Sequence, residues 1–155
     1  MPSDRPYAPP EADVGLGQPE ARDSTASVVG AIIGLGSYYV AATVTALVVL
    51  WALIAQGVAA QQAYARLYEL TWYILFAHAL GALCLAYGGY WSARLSKSKP
   101  RRNALWSGLL ALAFSLLQIL LPYELPIPAW SNALSLLVPV PAFLLGAWWH
   151  SRSEA

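Results

Sequence analysis

One histidine is the most informative of the residues in this chain that could do chemistry. His78 lies near the middle of a long apolar segment, 70–91. An ionisable side chain is costly at that depth in a membrane, which makes it a candidate functional residue. At helical spacing His78 shares a face with Gly81 and Ala82, and such small residues let a neighbouring helix approach closely. We therefore expect His78 to point into a helical bundle.

Polar side chains on three other apolar segments are expected near the depth of His78, with Gln118 and Ser135 somewhat further out. The predicted intramembrane polar cluster is His78, Thr43, Thr45, Ser115, Gln118 and Ser135. In one interpretation the histidine is neutral and bonds a Ser or Thr hydroxyl, joining two helices for about 0.6 kcal/mol. In the other, these side chains line a path for a solute. The first is favoured because a single histidine without a carboxylate partner makes a poor proton relay.

Residues that could hold a cofactor or a metal are scarce. The chain contains two histidines and one cysteine, Cys84, which can form neither an intrachain disulfide nor a cysteine-rich metal site. The second histidine, His150, is displaced from His78 by about 15 Å along the membrane normal, judged by helical rise. A haem with both ligands from one chain is therefore not expected, and only a homodimer would offer two copies of His78. We predict no cofactor, no metal site and no catalytic constellation.

Acidic side chains are expected only outside the apolar core. Glu69 and Glu124 fall at the predicted outer interface, so no embedded carboxylate is available for proton-coupled transport. If the protein were a membrane enzyme acting on a lipid or quinone, Glu69, Tyr68 and Tyr73 would be its candidate residues at that interface.

Two prolines, Pro139 and Pro141, lie in the centre of the last apolar segment. Each removes a helical hydrogen bond, so a kink is expected there. Broken helices form gates and ion sites in some transporters. They also occur in static bundles, where neighbouring helices satisfy the freed groups. The static interpretation is favoured because the sequence has no inverted repeat and no second broken segment.

The elements that must position these residues are four apolar segments, at 28–55, 70–91, 104–121 and 130–149. About 20 apolar residues suffice to cross the hydrocarbon core as a helix, and a helix satisfies its own backbone in lipid. Gly30-x-x-x-Gly34 predicts close helix packing, either within the bundle or between copies of the chain. The predicted fold class is an all-α membrane protein with four transmembrane helices in an antiparallel bundle.

The composition favours the same class and excludes others. Of the 155 residues, 58% are hydrophobic and 11% charged, with a mean hydropathy of +0.50, whereas a soluble domain has about a quarter charged residues. A formal net charge of +1 gives no basic footprint for nucleic acid.

Residues 1–26, rich in proline, glycine and acids, are predicted to be a disordered tail. Residues 27–150 are predicted to form the transmembrane domain, and 151–155 a short C-terminus.

Positive charges predict the orientation in the membrane. Eight of the nine Lys and Arg residues fall in the N-terminal tail, the second loop and the C-terminus, against one in the first loop. Because basic segments stay in the cytoplasm, both termini are predicted to be cytoplasmic. The second loop is also expected to meet anionic lipid head groups. Its basic residues are Arg94, Lys97, Lys99, Arg101 and Arg102.

Two stretches carry a resemblance to known proteins. YAPPEADV (Tyr7–Val14) and GGYWSARLSKSKPRRNALWSGLL (Gly88–Leu110) resemble the tail, and the second-helix exit with its basic turn, of small four-span proteobacterial inner-membrane proteins. The resemblance implies a bacterial cytoplasmic membrane. It implies no activity and no functional residue.

Three functions remain open from the sequence. The favoured one is a non-enzymatic structural or accessory membrane subunit, acting in the bilayer as a homo-oligomer or within a larger membrane complex. The alternative is a small permease or channel whose polar path surrounds His78. The third is a membrane enzyme acting on a lipid or quinone.

Overall fold

The computed structural model describes residues 18–96, 98–121 and 127–153. Within these ranges the chain is helical and contains no strand. Four stretches, Asp23–Ala55, Thr71–Leu95, Pro100–Leu120 and Ala129–Ser153, are long and apolar enough to cross a membrane. The prediction of an all-α membrane protein with four spans is confirmed. The helices are α1 (Gln18–Ala55), α2 (Ala60–Glu69), α3 (Thr71–Leu95), α4 (Pro100–Leu120), α5 (Ala129–Leu137) and α6 (Pro139–Ser153).

The membrane-crossing helices form a four-membered bundle in which consecutive spans run antiparallel. Helix α1 packs on α3 and α4, and α6 packs on the same two helices from the other side. Gly89 lies against Phe143, and Ala93 clusters with Ala147, so the neighbours α3 and α6 run in the same direction. We call the end that holds the start of α1, the α3–α4 turn and the end of α6 the basic end. The opposite end is the α2 end.

Glycines bring the helices together in the half of the bundle nearer the basic end. A β-carbon on Gly88 would lie 2.6 Å from the carbonyl oxygen of Gly30 and 2.7 Å from the Cα of Gly34. On the other side of α3, a β-carbon on Gly146 would overlap the carbonyl oxygen of Ala86. The pair Gly30-x-x-x-Gly34 is therefore used inside the bundle, which is one of the two roles that its sequence allows.

Helix α1 begins at Gln18, inside the segment predicted to be disordered. The prediction is wrong for residues 18–26, while residues 1–17 lie outside the described residues. The carboxylate of Asp23 accepts hydrogen bonds from the hydroxyls of Ser96, at 3.1 Å, and Ser98 in the α3–α4 turn. Local composition predicts disorder because the segment has few apolar side chains to bury. It carries no information about hydrogen bonds to a loop that is distant in the sequence.

A short helix that the sequence analysis did not predict follows a tight turn at the end of α1. Gly57 has a φ of +90°. Its N–H donates to Ile54 O at 2.9 Å, and the N–H of Val58 donates to Leu53 O at 3.1 Å, the paired bonds of a Schellman cap. Helix α2 then packs back on the bundle, with Leu67 buried in a cluster that includes Ile74.

The left-handed backbone of Gly57 predicts a conformational effect of substitution. Gly57→Val should lower the free energy of unfolding by about 1 kcal/mol, because a β-branched residue is strained at positive φ. Gly57→Asn should cost less, since asparagine tolerates this conformation. Thermal unfolding of both variants in one detergent measures the difference, and equal losses would contradict this explanation.

The fourth span is interrupted at Val138, between α5 and α6, where Pro139 and Pro141 predict a break. The N–H of Val138 donates to Leu134 O at 3.0 Å, and the N–H of Ala142 donates to Val138 O at 3.1 Å. The interruption is therefore local, with helical bonds on both sides of it. It divides the span into α6, which packs tightly on α3 and α4, and α5, which borders a partly open cavity.

Candidate functional site

A cavity of about 630 Å³ lies in the half of the bundle nearer α2. Its walls come from α1 to α5, and a smaller space of about 70 Å³ continues toward the bundle centre beside Leu85 and Pro139. The last turn of α4 is level with Tyr39, which bonds Gln118. Helix α1 continues to Ala55, roughly 24 Å further at 1.5 Å per residue. The last turns of α1 therefore extend beyond the end of α4, which flanks α1 in the other half of the bundle.

Aromatic rings form much of the cavity wall. The rings of Tyr38 and Tyr39 have centroids 5.4 Å apart, and those of Tyr64 and Tyr68 meet edge to face at 5.5 Å. Each tyrosine offers an apolar face and a polar hydroxyl. The lining tyrosines are Tyr38, Tyr39, Tyr64, Tyr68 and Tyr73.

His78 lies in the same wall and is hydrogen-bonded to a serine. Its Nε2 is 2.9 Å from the Oγ of Ser131, and its ring centroid is 6.3 Å from that of Trp130. The bond joins α3 to α5. A Ser or Thr partner for His78 was predicted, but Ser131 was not among the residues proposed for the cluster.

Five of the six residues of the predicted cluster line the cavity, and Thr45 does not. Thr45 donates from Oγ1 to the carbonyl oxygen of Ala41 on its own helix, at 2.8 Å. Residues two apart on a helix point in different directions, so Thr43 and Thr45 cannot share a face. The residues that line the cavity are His78, Thr43, Ser115, Gln118 and Ser135.

The predicted residues share a cavity without forming one hydrogen-bond network. Ser135 donates from Oγ to the carbonyl oxygen of Ser131, one turn earlier, at 3.1 Å. Gln118 bonds the hydroxyl of Tyr39. The Gln118 bond is separate from the contact between His78 and Ser131, and Ser135 bonds the backbone carbonyl of Ser131, whereas His78 contacts its hydroxyl.

Sequence reasoning missed Ser131, Asn132 and the tyrosines of the cavity. Ser131 could have been found, because it precedes Ser135 by one helical turn and shares its face. The sequence did not place Tyr64 at a cavity, since the packing of α2 against the bundle was not predicted. No charged side chain is among the described residues that line the cavity.

Tyr68 lies on α2, outside the membrane-crossing segments. Burial raises the pKa of its phenol above the ordinary value, and the hydrogen bond with the Tyr64 hydroxyl, at 3.4 Å, adds to the rise. Tyr68 is therefore a neutral hydroxyl at physiological pH. Of the three residues proposed for an enzyme, Tyr68 and Tyr73 line the cavity and Glu69 does not.

The basic end holds a second polar cluster that the sequence analysis missed. The buried Oγ of Ser107 lies 2.7 Å from the carbonyl oxygen of Ser27 and 2.9 Å from the Oγ of Ser92. Nearby, Nδ2 of Asn103 donates to the Oγ of Ser96 at 2.7 Å. These contacts connect α1, α3 and α4, so we interpret the cluster as structural.

The basic residues at this end are exposed, and two of them stack on tryptophans. The guanidinium carbon of Arg94 is 4.9 Å from the Trp91 ring centroid, and that of Arg152 is 4.0 Å from the Trp148 centroid. Lys99, Arg101 and Arg102 are exposed at the start of α4, and Lys97 lies outside the described residues. His150 packs edge-on against Tyr90, with centroids 5.3 Å apart.

The bond between His78 and Ser131 predicts a small coupling energy. A double-mutant cycle with His78→Ala and Ser131→Ala should give about 0.6 kcal/mol, the average for interhelical hydrogen bonds in a membrane. Unfolding free energies of the two single variants and the double variant in the same detergent measure it. A coupling of zero would show that the contact does not hold α3 to α5.

Comparison with protein-family models, with curated proteins and with solved structures found no match for this chain. The fold and the site define a four-span membrane protein with a partly open, tyrosine-lined cavity. The geometry of that cavity is the basis of the functional proposal.

Proposed function

We propose that the protein is a non-enzymatic accessory subunit of the bacterial inner membrane that binds a small neutral molecule in its cavity. The observation that supports this is the cavity itself, at about 630 Å³, within the roughly 300–1,000 Å³ range of small-molecule sites. Its wall combines aromatic rings with a few polar groups and, among the described residues, no charge. This lining suits an uncharged ligand.

The chemistry of the wall favours binding over catalysis. General acid–base catalysis needs a titratable group held in place and tuned toward the operating pH. His78 is the one histidine or carboxylate among the described lining residues, and it contacts the Ser131 hydroxyl at 2.9 Å. A carboxylate partner, which would orient the ring and raise its basicity, is absent from this described wall.

The orientation forms part of the proposal. Basic loops remain cytoplasmic, and the basic end carries Arg94, Arg101 and Arg152, whereas Arg66 lies on α2 at the other end. Both termini are then cytoplasmic, and the cavity lies in the outer half of the membrane. Reporter fusions after residue 153 should be active in the cytoplasm, and activity of a periplasmic reporter there would overturn this orientation.

Extraction of the tagged protein from native membranes into lipid nanodiscs tests the binding role. Mass spectrometry should find one neutral small molecule enriched over the surrounding lipid, together with a stoichiometric protein partner. Ala77→Leu should lose the molecule because Ala77 lines the cavity. Ala79→Leu is the matched control, since Ala79 is exposed on the same helix. If no molecule distinguishes these two variants, the proposal fails. A homo-oligomer without another protein would remove the accessory role.

A small permease is the second candidate, favoured by the helix break at Val138 beside the cavity. Proteoliposomes tested with glycerol and urea by light scattering should then show a flux that His78→Ala abolishes while expression survives. The glycine contacts at the basic end count against this candidate, because α3 would have to separate from α1 and α6. Flux that is unchanged in His78→Ala excludes a path around His78.

A further inference from the structure

We propose that the ligand of the cavity is a quinone-type lipid, which has a neutral planar ring with carbonyl oxygens and an apolar tail. This inference rests on the proposed binding function and names the chemical class of its ligand.

The lining residues that the structure describes favour an uncharged ligand over an ionic head group. An ion placed away from water needs an opposite charge or several hydrogen bonds to offset its lost hydration. The described wall has no charged side chain to supply this. A phosphate or ammonium head group would therefore be poorly held, whereas an uncharged ring carries no such cost.

The rings of the wall fit a planar ligand. Tyr38 and Tyr39 lie near the inner limit of the cavity, and Tyr64 and Tyr68 lie at the α2 end. Aromatic groups attract one another in offset-stacked and edge-to-face arrangements, beyond the area that they bury. A flexible acyl chain would fill the same space without using these faces.

Several hydrogen-bond donors of the wall are available to a ligand. The hydroxyls of Tyr38 and Tyr73 and the amide of Asn132 line the cavity, and none of them has a side-chain hydrogen bond among the described residues. Polar groups inside proteins nearly always find a partner. A ligand with carbonyl oxygens would accept bonds from these donors.

The cavity also borders the lipid-facing surface of α1. Leu47 lines the cavity and is 54% exposed, and Val44 and Val48 beside it are exposed as well. An apolar tail that leaves the cavity at Leu47 meets this surface and then the bilayer. The site therefore fits a ring inside the bundle with its tail toward lipid.

Decylubiquinone, a quinone with a short tail, is the probe for this inference. It should raise the unfolding temperature of the detergent-purified protein in a saturable manner, and equally so for Ala79→Leu. Ala77→Leu should show no rise. Tyr38→Phe and Tyr73→Phe should each weaken binding by about tenfold, the effect of losing one good hydrogen bond.

The outcomes separate this inference from the proposed function. One outcome is that decylubiquinone leaves the unfolding temperature unchanged while nanodiscs of Ala77→Leu lose another compound that nanodiscs of Ala79→Leu retain. In that case the quinone assignment is wrong and the binding function stands. If neither experiment distinguishes these variants, both fall. Equal affinity of Tyr38→Phe, Tyr73→Phe and the wild type would overturn the assignment of carbonyl oxygens to these hydroxyls.

Discussion

Gly146→Ala is expected to leave little folded protein under conditions in which the wild type is stable. A β-carbon at this position would overlap the carbonyl oxygen of Ala86 and lie 2.7 Å from the backbone nitrogen of Tyr90. Both are backbone atoms, so no side-chain rotation can relieve the overlap, and α6 must move away from α3. Overpacking of this kind costs about 3 kcal/mol. The thermal unfolding midpoint and the monodisperse fraction in one detergent measure the effect.

Gly36→Ala is the control for this prediction. Gly36 is also inside a helix, but a β-carbon there meets no atom within 4 Å. Its replacement should be neutral or stabilise the protein by about 0.5 kcal/mol through helix propensity alone. If Gly146→Ala and Gly36→Ala behave alike, the close approach of α3 and α6 is not what stabilises the bundle.

The sequence predicted small residues for close packing on α1 and, with Gly81, on α3, but not which residues they contact. Gly30 and Gly34 form a recognisable motif on α1, because both residues lie on one strip of one helix. Their partner Gly88, and the second contact between Gly89 and Phe143, depend on which helices are neighbours. Hydropathy locates the spans but does not determine their order around the bundle, so these contacts could not be predicted.

The spans themselves were predicted well in their apolar parts. Helices α3, α4 and α6 extend past the predicted limits at 91, 104 and 149, to Leu95, Pro100 and Ser153 respectively. These extensions contain the polar and basic residues of the basic end. Hydropathy marks only the part of a helix that lies in the hydrocarbon core, whereas the helix continues as long as its backbone bonds and side-chain contacts support it.

The candidate site was predicted from depth along the helices. His78 and Ser115, expected at a similar level, share a cavity with Ser135, which was expected somewhat further out. Thr45 is not in this group because its side chain lies on a different face of α1 from that of Thr43. The tyrosines of α2 depend on a helix that packs back on the bundle through Leu67, a tertiary contact with no signal in the hydropathy pattern.

Phe143→Ala is the second substitution with a large expected effect. Phe143 is fully buried and clusters with Leu85 and Ala111, two residues that also border the inner limit of the cavity. Its removal should lower the free energy of unfolding by about 3 kcal/mol, the lower end for a buried phenylalanine. In the unfolded state the side chain would still contact lipid, so the hydrophobic transfer contribution is small and the cost comes mainly from lost packing.

The same substitution should extend the cavity toward the basic end, because the Phe143 cluster forms its floor. Phe76→Ala is the matched control, since Phe76 is 49% exposed on α3 and its removal leaves no void in the bundle. Unfolding midpoints should fall for Phe143→Ala and change little for Phe76→Ala. Equal midpoints for the two variants would contradict the role of Phe143 in the core.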